Sequence, residues 1–243
     1  MSQPELVLHV LPPSHPCMGV EGVLRLKGLQ YEKVSLIAPH AAEMQRIYGE
    51  GQTTVPGLLI DGEPVHGSRR IFARLEELKP TPSLYPTPIA EQVRAAEIWG
   101  DGEFQDLGRR LPWGALHFRP EMLGALGGAG PLDGPGTDYA MRYIHATWKY
   151  HKLTAARLAE DLAGFPEKIA HIQSLIDEGV IGGDEPNAAD FQIGATLRVM
   201  LVVGDLHPLL SGAPEALARK WFPDYAGLIP AGAYPAGWVP ARS

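Results

Sequence analysis

The stretch SHPCMGVEGVLRLKGL, Ser14–Leu29, decides how the first third of the chain reads. Val20, Val23 and Leu24 recur at helical spacing, and Lys27-Gly28-Leu29 closes the run with a glycine suited to a left-handed C-cap. Just upstream, ELVLHVL is a short apolar run bounded by prolines, which predicts a buried strand, and PPSHP predicts a turn. Ser14 and Cys17 therefore bracket the point where a strand hands over to a helix. Cys17 is the only cysteine in the chain, which excludes an internal disulfide framework and a multi-cysteine metal site.

Working outward, YEKVSLI (31–37) reads as a second strand and HAAEMQRIYGEG (40–51) as a short helix or irregular loop. TTVPGLLI (53–60) and PVHG (64–67) read as two short strands around a turn. SRRIFARLEELKP (68–80) predicts a helix capped by Ser68, with Ile71, Phe72, Leu75 and Leu78 as its buried stripe. The stretch KPTPSLYPTP (79–88), with four prolines, has the composition of a linker. Beyond it the strand signals fade. Helical segments follow at 89–111, weakened by Gly100 and Gly102, at 139–162, at 165–179 with Ile169, Ile172 and Ile176 on one face, and at 187–203. LGGAGPLDGPGTD (126–138) reads as a long loop, and the Pro/Gly-rich tail 222–243 as irregular. The expected organisation is an α/β domain at 1–80, a linker at 81–88 and an all-helical domain at 89–243.

With 243 residues and a net charge of −7, the chain has no basic block. This argues against nucleic acid as the main partner. The N-terminus lacks the pattern of a signal peptide and no segment approaches a membrane span in length, so a cytoplasmic protein is expected. The histidines form no HxxxH or HExxH pair, and no metal is expected.

The element order of the first domain, the Ser14/Cys17 corner, Val55-Pro56 before a strand and GSRRI opening the last helix resemble a thioredoxin-like fold. With an all-helical second half, the chain resembles the glutathione transferase superfamily. IGGDEPNAADFQI (181–193) is similar to a stretch of that superfamily. Locally it reads as a capping box, with Asn187 as the cap and Asp190 returning a bond to the cap amide. GSRRI, WG and this stretch together resemble a mainly actinobacterial branch of unassigned function, and many such organisms use a thiol other than glutathione.

The resemblance implies an enzyme that joins glutathione, or another small thiol, to an apolar electrophile in detoxification. It further implies a homodimer. Such chemistry needs a thiolate, which hydrogen bonds and a helix N-terminus both favour. By resemblance Ser14 would stabilise that thiolate; otherwise it only starts a helix. Cys17 reads either as a nucleophile for thiol-disulfide exchange or deglutathionylation, or as a packed core thiol. Pro56 is expected to follow a cis peptide bond, with the Val55 N–H and C=O pairing the peptide part of glutathione. Ser68 would hold a carboxylate. Gly67 stands where the superfamily usually has an acid for the amine of glutathione, a departure that also fits a non-catalytic binding protein. His15 and His40 are further candidates near the thiol, and Arg69 and Arg70 either attract an anion or decorate a helix surface. Trp99, Trp113, Phe118, Tyr143 and Trp148 are candidates to line the electrophile pocket.

Overall fold

The computed structural model describes residues 3–241. They pack as two units, Met1–Asp101 with Val180–Ala195, and Gly102–Gly179 with Thr196–Ser243.

In the first unit the chain runs β1 (Leu6–Val10), α1 (His15–Leu26), β2 (Glu32–Ser35), α2 (Ala41–Tyr48), β3 (Gly57–Ile60), β4 (Glu63–His66) and α3 (Ser68–Leu78). The sheet order is β2-β1-β3-β4, with β1 and β2 parallel and the other two pairings antiparallel. Leu6, Leu8 and Val10 on β1 are buried, as are Leu58 and Ile60 on β3. Against them lie Val20, Val23 and Leu24 of α1 and Ile71, Phe72 and Leu75 of α3, all fully buried. Each such side chain contributes about 2 kcal/mol by leaving water. A separate cluster of Leu36, Met44 and Tyr48 holds α2 with Val34, Val55 and Leu59 packed around it. Gly28 follows the C-cap with φ +58°, the left-handed turn its position predicts.

Lys27 ends α1 completely buried. Its Nζ donates to Glu76 Oε2 at 2.7 Å and to the carbonyls of Lys79 and Pro82. The ammonium therefore pins the proline-rich stretch after α3. Leu84 and Tyr85 within that stretch are buried, and the Leu84 carbonyl accepts the Ala188 N–H at 3.0 Å. Proline stiffens a segment whether it is solvated or packed, so composition did not reveal this burial.

α4 (Ala90–Trp99) passes into a π-helical turn at Gly100–Phe104 and then α5 (Gln105–Phe118). The two glycines widen the helix rather than end it. A Cβ on Gly100 would stand 2.9 Å from Ile193, so the close approach needs glycine. α6 (Met122–Leu126), α7 (Gly134–Tyr150) and α8 (Ala155–Asp177) follow. The expected loop at 126–138 is shorter than its composition suggests. Asp133 caps α7 by accepting the Gly136 N–H at 2.8 Å, and Pro135 sits in the first turn where no amide is required. α8 runs unbroken through Pro166, so its buried stripe is Leu158, Leu162, Phe165, Ile172 and Leu175. Ile169 and Ile176 are only half-buried.

The helix α9 (Ala188–Met200) is buried along its whole length, as its apolar run predicts. Asn187 Oδ1 accepts the Ala189 and Asp190 amides, and Asp190 Oδ2 accepts the Asn187 amide at 2.9 Å. This is the capping box expected from the sequence. α10 (His207–Leu210) and α11 (Ala213–Trp221) precede a tail without helix or strand. The tail is nevertheless tied down. Asp205 accepts the amides of Gly232, Ala233 and Tyr234, Tyr234 Oη donates to the Leu111 carbonyl, and the buried Arg198 holds Asp224 and the Pro223 carbonyl. No helix among the described residues is long and apolar enough to cross a membrane.

Candidate functional site

The pairing register brings the chemistry-bearing loops to one end of the sheet. Val10 pairs with Ser35, His9 with Gly57, and Gly57 with His66. The segments that follow β1, precede β3 and follow β2 and β4 all leave the sheet there. They carry Ser14, Val55-Pro56, His40 and Gly67-Ser68.

Ser14 sits at the N-cap of α1 in extended conformation, but its hydroxyl makes no cap bond to the helix. Cys17 is 2% exposed, and burial pushes its thiol up to about 11, with the Ser14 hydroxyl and the Leu11 backbone acting in the opposite direction. Burial and the raised pKa favour the packed-thiol reading over the nucleophile reading. His15 is the first residue of α1 and is buried, rather than lying in the preceding turn.

The Val55–Pro56 bond is cis. Neither the N–H nor the C=O of Val55 has a hydrogen bond among the described residues. On one side the Pro56 carbonyl accepts the Gly67 N–H at 3.1 Å; on the other the Thr54 carbonyl lies 2.7 Å from His66 Nε2. His40 occupies the N-cap position of α2 without a side-chain cap bond. Burial lowers its pKa, so it is neutral near pH 7, and its buried Nδ1 has no partner among the described residues.

Gly67 and Ser68 correct two expectations. Gly67, not Ser68, is the N-cap of α3, and Ser68 makes no side-chain cap bond. The Ser68 hydroxyl is 3.1 Å from Gln192 Oε1 and 3.4 Å from Asp101 Oδ1, inside the unit. Gly67 has φ +90° and ψ 141°, a conformation open to glycine and strained for an acid, although a Cβ there would meet nothing within 4 Å. Backbone strain thus explains why a glycine stands at this point. In the sequence Gln192 stands out only as a lone amide in an apolar helix.

Beside α3 a polar cluster lies buried. Tyr85 Oη donates to both oxygens of Glu97 at 3.1 Å, and the Arg94 guanidinium lies 3.9 Å above the Tyr85 ring. Arg69 adds its charge toward Glu97 and is half-buried, whereas Arg70 is exposed. Burial dominates and lifts the Glu97 carboxyl from 4.5 to about 7, while Tyr85, Arg69 and Arg94 pull it down. The folded chain therefore binds a proton between pH 4.5 and 7 that the unfolded chain releases, and stability from this group is lost as pH rises through 7. Glu97→Gln is expected to stabilise the protein above pH 8 by on the order of 2 kcal/mol, roughly 4–8 °C in Tm, with the difference vanishing near pH 4.5. Thermal melts across that range check it.

In the second unit Trp113 meets the Tyr143 ring at 5.6 Å, and His117 stacks on Trp148 at 4.1 Å and contacts Phe118. Trp148 Nε1 also donates to the Trp113 carbonyl. Four of the five expected pocket aromatics thus form one cluster; Trp99 belongs to the other unit. Among the described residues no three His, Cys, Asp or Glu side chains group to hold a metal.

A βαβαββα sheet layer with a cis-proline before β3 and a serine opening α1 defines a thioredoxin-like domain, here followed along the chain by helices. Residues 8–83 match the family model described as glutathione S-transferase, N-terminal domain. Among solved structures, the chain is similar to a glutathione S-transferase from Rhodospirillum rubrum F11, with 22% identity over 89% of this chain and 85% of that one and a TM-score of 0.52. It is also similar to the beta-etherase LigF of Sphingobium sp. strain SYK-6 (17%, 88% and 99%, TM-score 0.60). Rice GST1 in complex with glutathione is a third (20%, 92% and 92%, TM-score 0.51). No curated protein sequence matches the chain. Over its first third the chain thus matches that family model, and as a whole it has the fold seen in these glutathione S-transferase structures.

Proposed function

We propose that this chain is a glutathione-transferase-like enzyme that joins the sulfur of a small thiol, glutathione or a substitute, to an electrophilic and mostly apolar substrate. The observation that carries the reading is the unpaired peptide edge at Val55, next to a cis-proline and at the same end of the sheet as Ser14. An extended peptide-like thiol adds to such an edge through backbone bonds. The Ser14 hydroxyl then donates to the sulfur at the start of α1, where the helix field favours the anion. The Ser68 amide receives a carboxylate. A homodimer fits the same reading.

Calorimetric titration with reduced glutathione tests the binding. Ser14→Ala should bind glutathione but lose thiolate absorbance, and conjugation to a chlorinated nitroaromatic should fall about 100-fold. Its Tm should hold, because the Ser14 hydroxyl makes no cap bond. Absence of binding in the unmodified protein would overturn glutathione as the thiol. A second reading, a non-catalytic binding protein, is favoured by Gly67 in place of an acid and by the engagement of the Ser68 hydroxyl with Gln192. It predicts thiol binding without conjugation.

A further inference from the structure

Three aromatic side chains outside the proposed chemistry, His9, Tyr48 and His66, contact one another next to the Val55 loop. His9 on β1 is buried, and its Nδ1 lies 2.7 Å from Tyr48 Oη. The Tyr48 ring stands over Gly57, where any Cβ would overlap it, and its centroid lies 5.9 Å from that of His66 on β4. His66 Nε2 in turn lies 2.7 Å from the Thr54 carbonyl oxygen. That oxygen only accepts, so Nε2 carries the hydrogen.

We infer that His66 is a positioning residue that fixes the Thr54–Val55 peptide and so presents the Val55 N–H and C=O to the ligand. The loop is clamped at two points from the end of β4. His66 holds the carbonyl before Val55, and the Gly67 amide holds the carbonyl after it. Between the clamps the peptide groups of Val55 are left open. Tyr48, anchored by His9, lies tilted beside the imidazole and limits its swing. A peptide edge fixed before the ligand arrives need not be ordered on binding, which raises affinity. The inference rests on the thiol-binding reading for its ligand, but the clamp itself belongs to the unliganded protein.

Two variants test it in the full chain. In His66→Ala the donor is gone. Hydrogen exchange of the unliganded protein should quicken at the Gly67 amide, which donates to the Pro56 carbonyl at the other end of the clamp, and stay unchanged elsewhere in the sheet. Glutathione binding by calorimetry should weaken about tenfold. His66→Gln places an amide nitrogen the same number of bonds from the backbone and should restore both readouts. His66 is half-buried at a strand end, so both variants should fold. Unchanged exchange in His66→Ala, or a His66→Gln variant that behaves like alanine, would overturn the inference. If the unmodified protein binds no glutathione, the thiol reading fails, and the exchange measurement still decides the clamp.

Discussion

Asp190→Ala is expected to lower the stability of the protein by about 4 kcal/mol, the largest loss of any single side-chain truncation proposed for this chain. Asp190 is wholly buried at the start of α9. One oxygen accepts the Gly182 amide at 2.7 Å and the other the Asn187 amide at 2.9 Å. Alanine removes that acceptor from both amides, the Asn187 N–H in a buried setting and the Gly182 N–H in a half-buried one. Each unsatisfied donor costs roughly 1–3 kcal/mol, and bonds to a charged acceptor lie toward the upper end. Asn187 still caps the helix through its own side chain, so α9 need not unravel; the loop from Gly182 to Asn187 loses its anchor. The measurable result is a Tm lowered by roughly 8–16 °C. Asp190→Asn should recover part of this, because its carbonyl accepts one amide while its NH₂ faces the other. A loss below about 1 kcal/mol for the alanine variant would show that water reaches the two donors.

Gly57→Ala is expected to destabilise by about 3 kcal/mol through overlap rather than backbone strain. A Cβ at this position would lie 2.3 Å from Tyr48 Cζ and 2.4 Å from Cε2. The ring has little room to yield. It is 9% exposed, its hydroxyl is held by His9, and it packs with Leu36 and Met44. Relief needs either a broken buried hydrogen bond or a shift of β3 away from α2, and the second displaces the cis-proline loop immediately upstream. Chemical denaturation should therefore show a lower midpoint. Gly164→Ala in the interior of α8 is the control: a Cβ there meets nothing within 4 Å, and it should gain about 0.5–1 kcal/mol from helix propensity. Equal stability of the Gly57→Ala and unmodified proteins would mean that the ring moves freely.

The elements most legible in the sequence were those with a local cause. The strand at Leu6–Val10, the helix behind Ser14, the glycine after it and the Asn187/Asp190 box all follow from spacing and capping chemistry within a few residues. The turn at Val55-Pro56 and the helix at Ser68 were legible too. What escaped was set by partners far along the chain. The Ser68 hydroxyl was read as a cap, yet it bonds Gln192, 124 residues away. The buried half of the proline-rich stretch depends on Lys27 and Ala188, which composition alone does not connect. The first turn of α7 hid in a Gly/Pro run because one Asp133 cap outweighs the poor propensity of the residues behind it. Cys17 admits two readings from sequence because a helix N-terminus and an apolar environment push a thiol in opposite directions, and its burial favours the second.

The grip of Asp205 on the tail makes no use of the side chains it holds. It reads three consecutive amides, at Gly232, Ala233 and Tyr234, through one carboxylate. A contact of that kind distributes mutational risk unevenly. Ala233 can be exchanged for another small residue and still offer its N–H, so the segment can drift in sequence while keeping its path. Proline at either Ala233 or Tyr234 would remove a donor, and loss of the single carboxylate would release all three at once. A stretch that looks expendable by composition thus has its weak point 27 residues upstream, in a residue whose own neighbourhood gives no hint of what it holds.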